Sequence, residues 1–208
     1  MLRAEWSSPT NVPYSPRSEP VDNSLIDLWL VLPDGDSVRY EPTPVLGDLA
    51  ATATPAEGEK FSLSGTIAGH AVRAVVRIPG RLIVDQPAGD TLRLALGPNY
   101  PRIPFAWSAD EAASYQAMLV RGDGTRQAAF IISEQNGVET VLDIAPDTTG
   151  DLMLFAESPA TRDTARVVIL GYDPAVTAFF SSSTKGNVHG TFGIFGGAAK
   201  AEIVVLWE

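Results

Sequence analysis

Short apolar runs, each closed by a tight turn of Gly, Pro, Asp or Asn, follow one another along most of this chain. The turns fall at Pro33-Asp34-Gly35-Asp36, Ala68-Gly69-His70, Pro79-Gly80, Arg121-Gly122-Asp123-Gly124 and Gln135-Asn136-Gly137. Connections this short join antiparallel neighbours, because a parallel pair needs a crossover of roughly a dozen residues or more. The chain is therefore expected to be all-β and mainly antiparallel.

Residue periodicity supports that expectation. Val72, Ala74, Val76 and Ile78 alternate with Arg73, Val75 and Arg77, the period-2 pattern of a half-buried strand. Phe61–Ile67, Ala71–Ile78 and Arg81–Asp85 read as a meander, and Leu92, Leu94 and Leu96 face inward on a following strand. Leu25–Leu32, almost wholly apolar, reads as a buried strand. In the second half, strands are expected at Tyr115–Arg121, Gln127–Ser133, Val138–Ile144, Leu152–Glu157, Arg166–Tyr172, Val176–Ser181, Thr191–Phe195 and Glu202–Trp207. Ser108-Ala109-Asp110-Glu111 matches a capping box and predicts a short helical turn.

Residues 1–24 are different in kind. Pro9, Pro13, Pro16 and Pro20 recur among Ser, Thr and Asn, which disfavours helix and central strand and predicts an extended arm. Gly97–Pro104 holds three prolines and suggests an internal boundary. The expected organisation is an arm over 1–24, a β-domain over 25–97 and a second over 98–208. Both domains would be sandwich-like, with a single jelly-roll-type sandwich as the alternative.

Composition narrows the function. The 208 residues carry a net charge of −10, which argues against a nucleic-acid surface, since phosphate contacts need clustered Lys and Arg. The charge is segregated: residues 60–108 hold 6 basic and 2 acidic side chains, whereas 1–59 and 109–163 each hold 3 and 10. Such blocks suit contact between a positive face on one copy and a negative face on another. With no cysteine, disulfides and thiolate metal sites are excluded. The start, Met1-Leu2-Arg3-Ala4-Glu5-Trp6, lacks the apolar run of a signal peptide. No stretch reaches the ~18 apolar residues of a membrane span.

Candidate chemistry is sparse. Arg121-Gly122-Asp123 spells an integrin-type tripeptide, but Gly and Asp are what a hairpin turn requires there. His70 lies at a turn and His189 in a Gly-rich segment, without the nucleophile elbow of a hydrolase. Ser182–Asn187 lacks the glycine spacing of a phosphate loop. Asp110 with Glu111, and Asp147 with Asp151, are the carboxylate pairs one would nominate for a glycosidase, and helix capping accounts for the first. Asp34, Asp36 and Glu41, or Asp147 and Asp151, do not have EF-hand spacing. No catalytic residue, metal or cofactor is expected.

Phe179, Phe180, Phe192, Ile194, Phe195 and Trp207 concentrate near the C-terminus among glycines, either as core or as a subunit contact. The layout, a Pro/Ser-rich arm before an acidic, cysteine-free β body, is similar to accessory structural proteins of tailed bacteriophages. Capsid decoration, head-fibre and tail or baseplate proteins are of this kind. The resemblance implies a non-enzymatic virion subunit made in the host cytoplasm, with other subunits of its assembly as partners and a homo-oligomer as its state. The expected partner-binding residues are Trp6, Val12, Tyr14, Phe192 and Phe195. The alternative is a carbohydrate-binding β-sandwich, with Tyr100 and Trp107 stacking on a surface glycan.

Overall fold

The computed structural model describes residues 2–3, 5–6, 19–44, 48–53, 56–95, 101–135, 138–154, 164–181, 186–190 and 194–208. The fold is all-β, with one short helix among the described residues, and the chain forms two compact units. The first takes Met1–Ile78 and Ala175–Gly197, the second Pro79–Pro174 and Ala198–Glu208. The division thus falls at Ile78/Pro79, ahead of the Pro-rich segment, and the chain returns to the first unit late in sequence. Pro79-Gly80, expected as a hairpin corner, is the passage between units.

The first unit contains β1 (Leu2–Arg3), β2 (Glu5–Trp6), β3 (Glu19–Pro20), β4 (Ile26–Val31), β5 (Ser37–Arg39), β6 (Glu41–Pro42), β7 (Asp48–Ala50), β8 (Lys60–Ile67) and β9 (His70–Arg77). Its main sheet has the order β5-β4-β8-β9, all antiparallel. Ala68 and Gly69 close the β8–β9 hairpin with φ of 50° and 80°, the pair of positive values a two-residue turn of right-handed strands demands. One face of this sheet is dry. Leu28, Leu63 and Val72 pack there with Val21 and Leu49, and Leu30 and Phe61 pack with Val76 and Ile78. β4 is accordingly half-buried: Ile26, Leu28 and Leu30 point in, while Asp27 and Trp29 point out.

Part of the expected arm belongs to this unit. β1 pairs with β7 and β2 with β3, Val21 is 2% exposed in the core, and Asp22 caps a 3-10 turn at Asn23–Leu25. Leu49, on β7, is buried against the sheet.

The second unit contains β10 (Ile83–Gln86), β11 (Thr91–Leu94), β12 (Arg102–Ser108), β13 (Ser114–Arg121), β14 (Arg126–Gln135), β15 (Val138–Leu142), β16 (Ile144–Ala145), β17 (Thr149–Leu154), β18 (Thr164–Tyr172) and β19 (Ala198–Trp207). They form one large curled sheet, in the order β10-β12-β17-β14-β13-β18-β19-β11, with β15 on β14 and β16 on β13. Only β11–β19 is parallel. Alternate residues of these strands enclose one core around Phe105, Trp107, Leu119, Ile131, Ile169 and Trp207. β10 pairs with β12 and so belongs here, not to the β8–β9 meander. Pro104 sits inside β12 at an exposed position, and β10 reaches along β12 only over Ala106–Ser108. Its missing N–H therefore breaks no bond to β10, which is how a strand tolerates proline.

Two expectations are corrected. Ser108-Ala109-Asp110-Glu111 does not start a helix: Glu111 takes φ 64°, and the chain enters β13 directly. The period-2 burial of Tyr115, Ala117 and Leu119 outweighs the capping pattern. Conversely, the strand expected at Val176–Ser181 is the helix α1, Pro174–Ser181. Proline at the first helical position is pre-organised for that turn, and the two alanines favour it.

Candidate functional site

The residues singled out from sequence do not converge on one site. Asp123 accepts the Thr125 backbone N–H at 2.8 Å, and Arg121 N donates to the Thr125 carbonyl at 2.9 Å, so the tripeptide builds the β13–β14 corner. That hydrogen bond holds the Asp123 carboxyl below its ordinary range. His70 is at the exposed β8–β9 corner, and the backbone of His189 bridges Arg73 on β9, at 2.7 and 3.1 Å. Asp34 likewise serves its own turn, accepting from Asp36 N at 3.0 Å. No group of three or more His, Asp or Glu side chains suited to a metal ion occurs among the described residues.

Trp107 is 2% exposed and stacked on Phe105, with ring centroids 3.7 Å apart. Residues two apart on a strand share a face, and this face is the core of the second unit. A sugar has no access to that ring. The adjacent cavity, bounded by Pro87, Leu92, Phe105, Val167 and Ile203, has a volume of about 10 Å³, the room of a single water. Phe195 is partly buried and packs on both apolar clusters of the first unit. The Asn187 amide fixes it there: Phe195 N donates to Oδ1 at 2.8 Å, and Nδ2 donates to the Phe195 carbonyl at 2.7 Å. The backbone of Trp6 lies in β2, while Val12, Tyr14, Tyr100 and Phe192 lie outside the described residues.

A surface feature that the sequence reading missed is the outer face of the four-stranded sheet. Register places Arg39, Trp29, Ser64 and Arg73 in one row across β5, β4, β8 and β9. The next row is Val31, Ser62 and Val75, and Lys60 lies opposite Arg77 beyond it. Asp27 pairs with Arg39 at 3.1 Å. Trp29 is 37% exposed and Val75 52%. The face thus carries four basic residues and one acidic, on a chain whose net charge is −10. The signal was present in the sequence: Asp27 interrupts the apolar run at the phase that Trp29 shares.

On the second unit, Val138 (62% exposed) and Val141 stand out from β15, and Ile83 from β10. Next to Val138 on β15, Glu139 pairs with Arg102 at 2.6 Å, which lowers the Glu139 carboxyl. Tyr172 donates to Gln116 Oε1 at 2.7 Å, and Gln116 Nε2 donates to Asp143 at 3.3 Å. Burial first, and then Asp143, raises the Tyr172 phenol. These are strand-face pairings that tie neighbours together.

No family model, curated protein or solved structure matches this chain. No helix among the described residues is long and apolar enough to cross a membrane.

Proposed function

We propose that this protein is a non-enzymatic structural or attachment subunit of a larger assembly, of the virion-accessory type: capsid decoration, head fibre, or tail and baseplate component. The observation that carries the reading is where the side-chain chemistry lies. Inward positions of both units are filled by apolar residues, with Ser114, Ser133 and Asp173 the only buried polar ones among the described residues. Exposed apolar groups sit instead on outward strand faces of the second unit, Val138 and Val141 on β15 and Ile83 on β10. On β15, Val138 and Val141 stand in sequence on either side of Glu139, which pairs with Arg102, an apolar and charged mix of the kind found across subunit contacts. The charge segregation along the chain supports association in a defined orientation.

The test is the composition of purified particles from a producing culture. Quantitative mass spectrometry should find this chain in the particle fraction at a fixed ratio to the major shell or tail protein. Recovery only in the particle-free supernatant would overturn the proposal.

A further inference from the structure

We propose that the outer face of the β5-β4-β8-β9 sheet binds acidic carbohydrate, a polysaccharide carrying carboxylate or sulfate groups, with Trp29 as the stacking platform. The site goes beyond the structural role proposed above and stands or falls separately from it.

The geometry comes from register. Neighbouring strands are about 4.8 Å apart, so Arg39 lies one step from Trp29 on one side, and Ser64 then Arg73 lie one and two steps away on the other. An exposed indole on a sheet face offers an apolar plane to the C–H face of a sugar ring. Ser62 and Ser64, both only partly buried, supply hydroxyls beside that plane. Arg73, and Arg39 beyond its contact with Asp27, can meet an acidic group on the same ring or the next. Guanidinium pairs with planar oxyanions through two parallel hydrogen bonds.

Charge selects the ligand class. Four basic side chains against one acidic, on an otherwise acidic protein, give a local positive field that attracts an anion and repels cations. Single-stranded nucleic acid is the poorer fit, because it needs a continuous basic track and several stacking aromatics. Trp29 is the one exposed aromatic among the described residues of this face. A protein interface is also poorer, since its centre wants contiguous apolar area and only Trp29, Val31 and Val75 provide any here.

The experiment measures retention of the full chain on immobilised heparin (sulfated), polygalacturonate (carboxylated) and dextran (neutral), with circular dichroism of every variant. Binding to at least one acidic polymer and none to dextran is expected. Trp29→Ala and Arg73→Ser should each weaken binding roughly tenfold, about 1.4 kcal/mol, while Trp29→Phe retains most of it. Ile83→Ser, on the other unit, should leave binding unchanged. The proposal is overturned if no acidic polymer binds, if dextran binds equally, or if Trp29→Ala has no effect. It also fails if single-stranded DNA competes as well as the polysaccharide. A change of oligomeric state in the Trp29 and Arg73 variants, with retention unaltered, would make the face a subunit contact instead.

Discussion

Gly65 and Gly190 show how single residues fix the first unit. Gly65 takes φ 148° within β8, and a Cβ there would overlap the Asp27 carbonyl oxygen on β4. Gly190 takes φ 90°, and its Cβ would overlap the Ala71 carbonyl, beside the His189–Arg73 bridge. Gly35 has a similar φ of 94° but open space around it. Gly35→Ala should therefore cost only the left-handed penalty, about 1 kcal/mol. Gly65→Ala and Gly190→Ala should cost clearly more, about 2–4 kcal/mol, because backbone must move as well. Chemical denaturation of the three variants checks the ranking. Titration makes a second residue-scale prediction. Arg102 lowers Glu139, Lys200 and then Arg166 lower Glu202, and the Thr125 N–H lowers Asp123. A depressed folded value stabilises above the ordinary carboxylate values of 3.8 to 4.5, and that contribution is lost as pH falls through the lower folded values. Thermal unfolding should thus show a downturn below pH 4.5, modest because these groups are exposed. Arg102→Met should make the downturn shallower. An identical acid limb in that variant would exclude the Glu139 contribution.

Among the elements, β19 does the most to close the second unit. It pairs with β18 along its whole length and with β11 at its end, and it buries Ile203, Val205 and Trp207. Removing residues 203–208 deletes three core side chains and takes away the strand that β11 pairs with. Each such loss is worth about 2–5 kcal/mol, so the truncated protein is expected to lack a cooperative unfolding transition in the second unit. Hydrogen exchange over β18 would read that directly. This strand, the hairpins at Gly35, Gly69 and Gly124, and the burial phase of β9 were all legible from sequence, because local alternation and turn chemistry determine them. The α1 helix and the Asp110–Glu111 turn were not. At 108–111 the capping pattern lost to the strand that follows it, and at 174–181 Pro174 and two alanines outweighed the β-branched and aromatic residues that suggested a strand. Trp29 was misread for a related reason. A run of apolar residues reads as buried throughout, whereas Asp27 and the strand pairing put Trp29 on the outward phase of β4.

The whole molecule is organised by long-range returns of the chain, which no local pattern announces. Val188 and Phe195 join the core of the first unit although they lie far along the sequence from its sheet, in a segment that follows β18 and precedes β19 along the chain. Tyr172 and Ala198 are directly paired at the end of β18–β19. Residues 79–172 and 198–208 joined by Asn-Gly should therefore close as an ordinary two-residue hairpin. The resulting chain is expected to fold alone, with β-type circular dichroism and one cooperative transition. The N-terminal segment makes the complementary case. Deleting residues 1–22 removes Val21 from the core and β1 from β7, so the melting temperature of the first unit should fall by several degrees. That outcome differs from the one an independent arm would give. The proposed role as an assembly subunit is tested most directly by light scattering of the full chain, alone and mixed with the products of neighbouring genes. A defined mass at a multiple of 22.1 kDa, or a stoichiometric complex with one of those products, is the predicted result. A monodisperse 22.1 kDa species that remains unchanged in every mixture would contradict it.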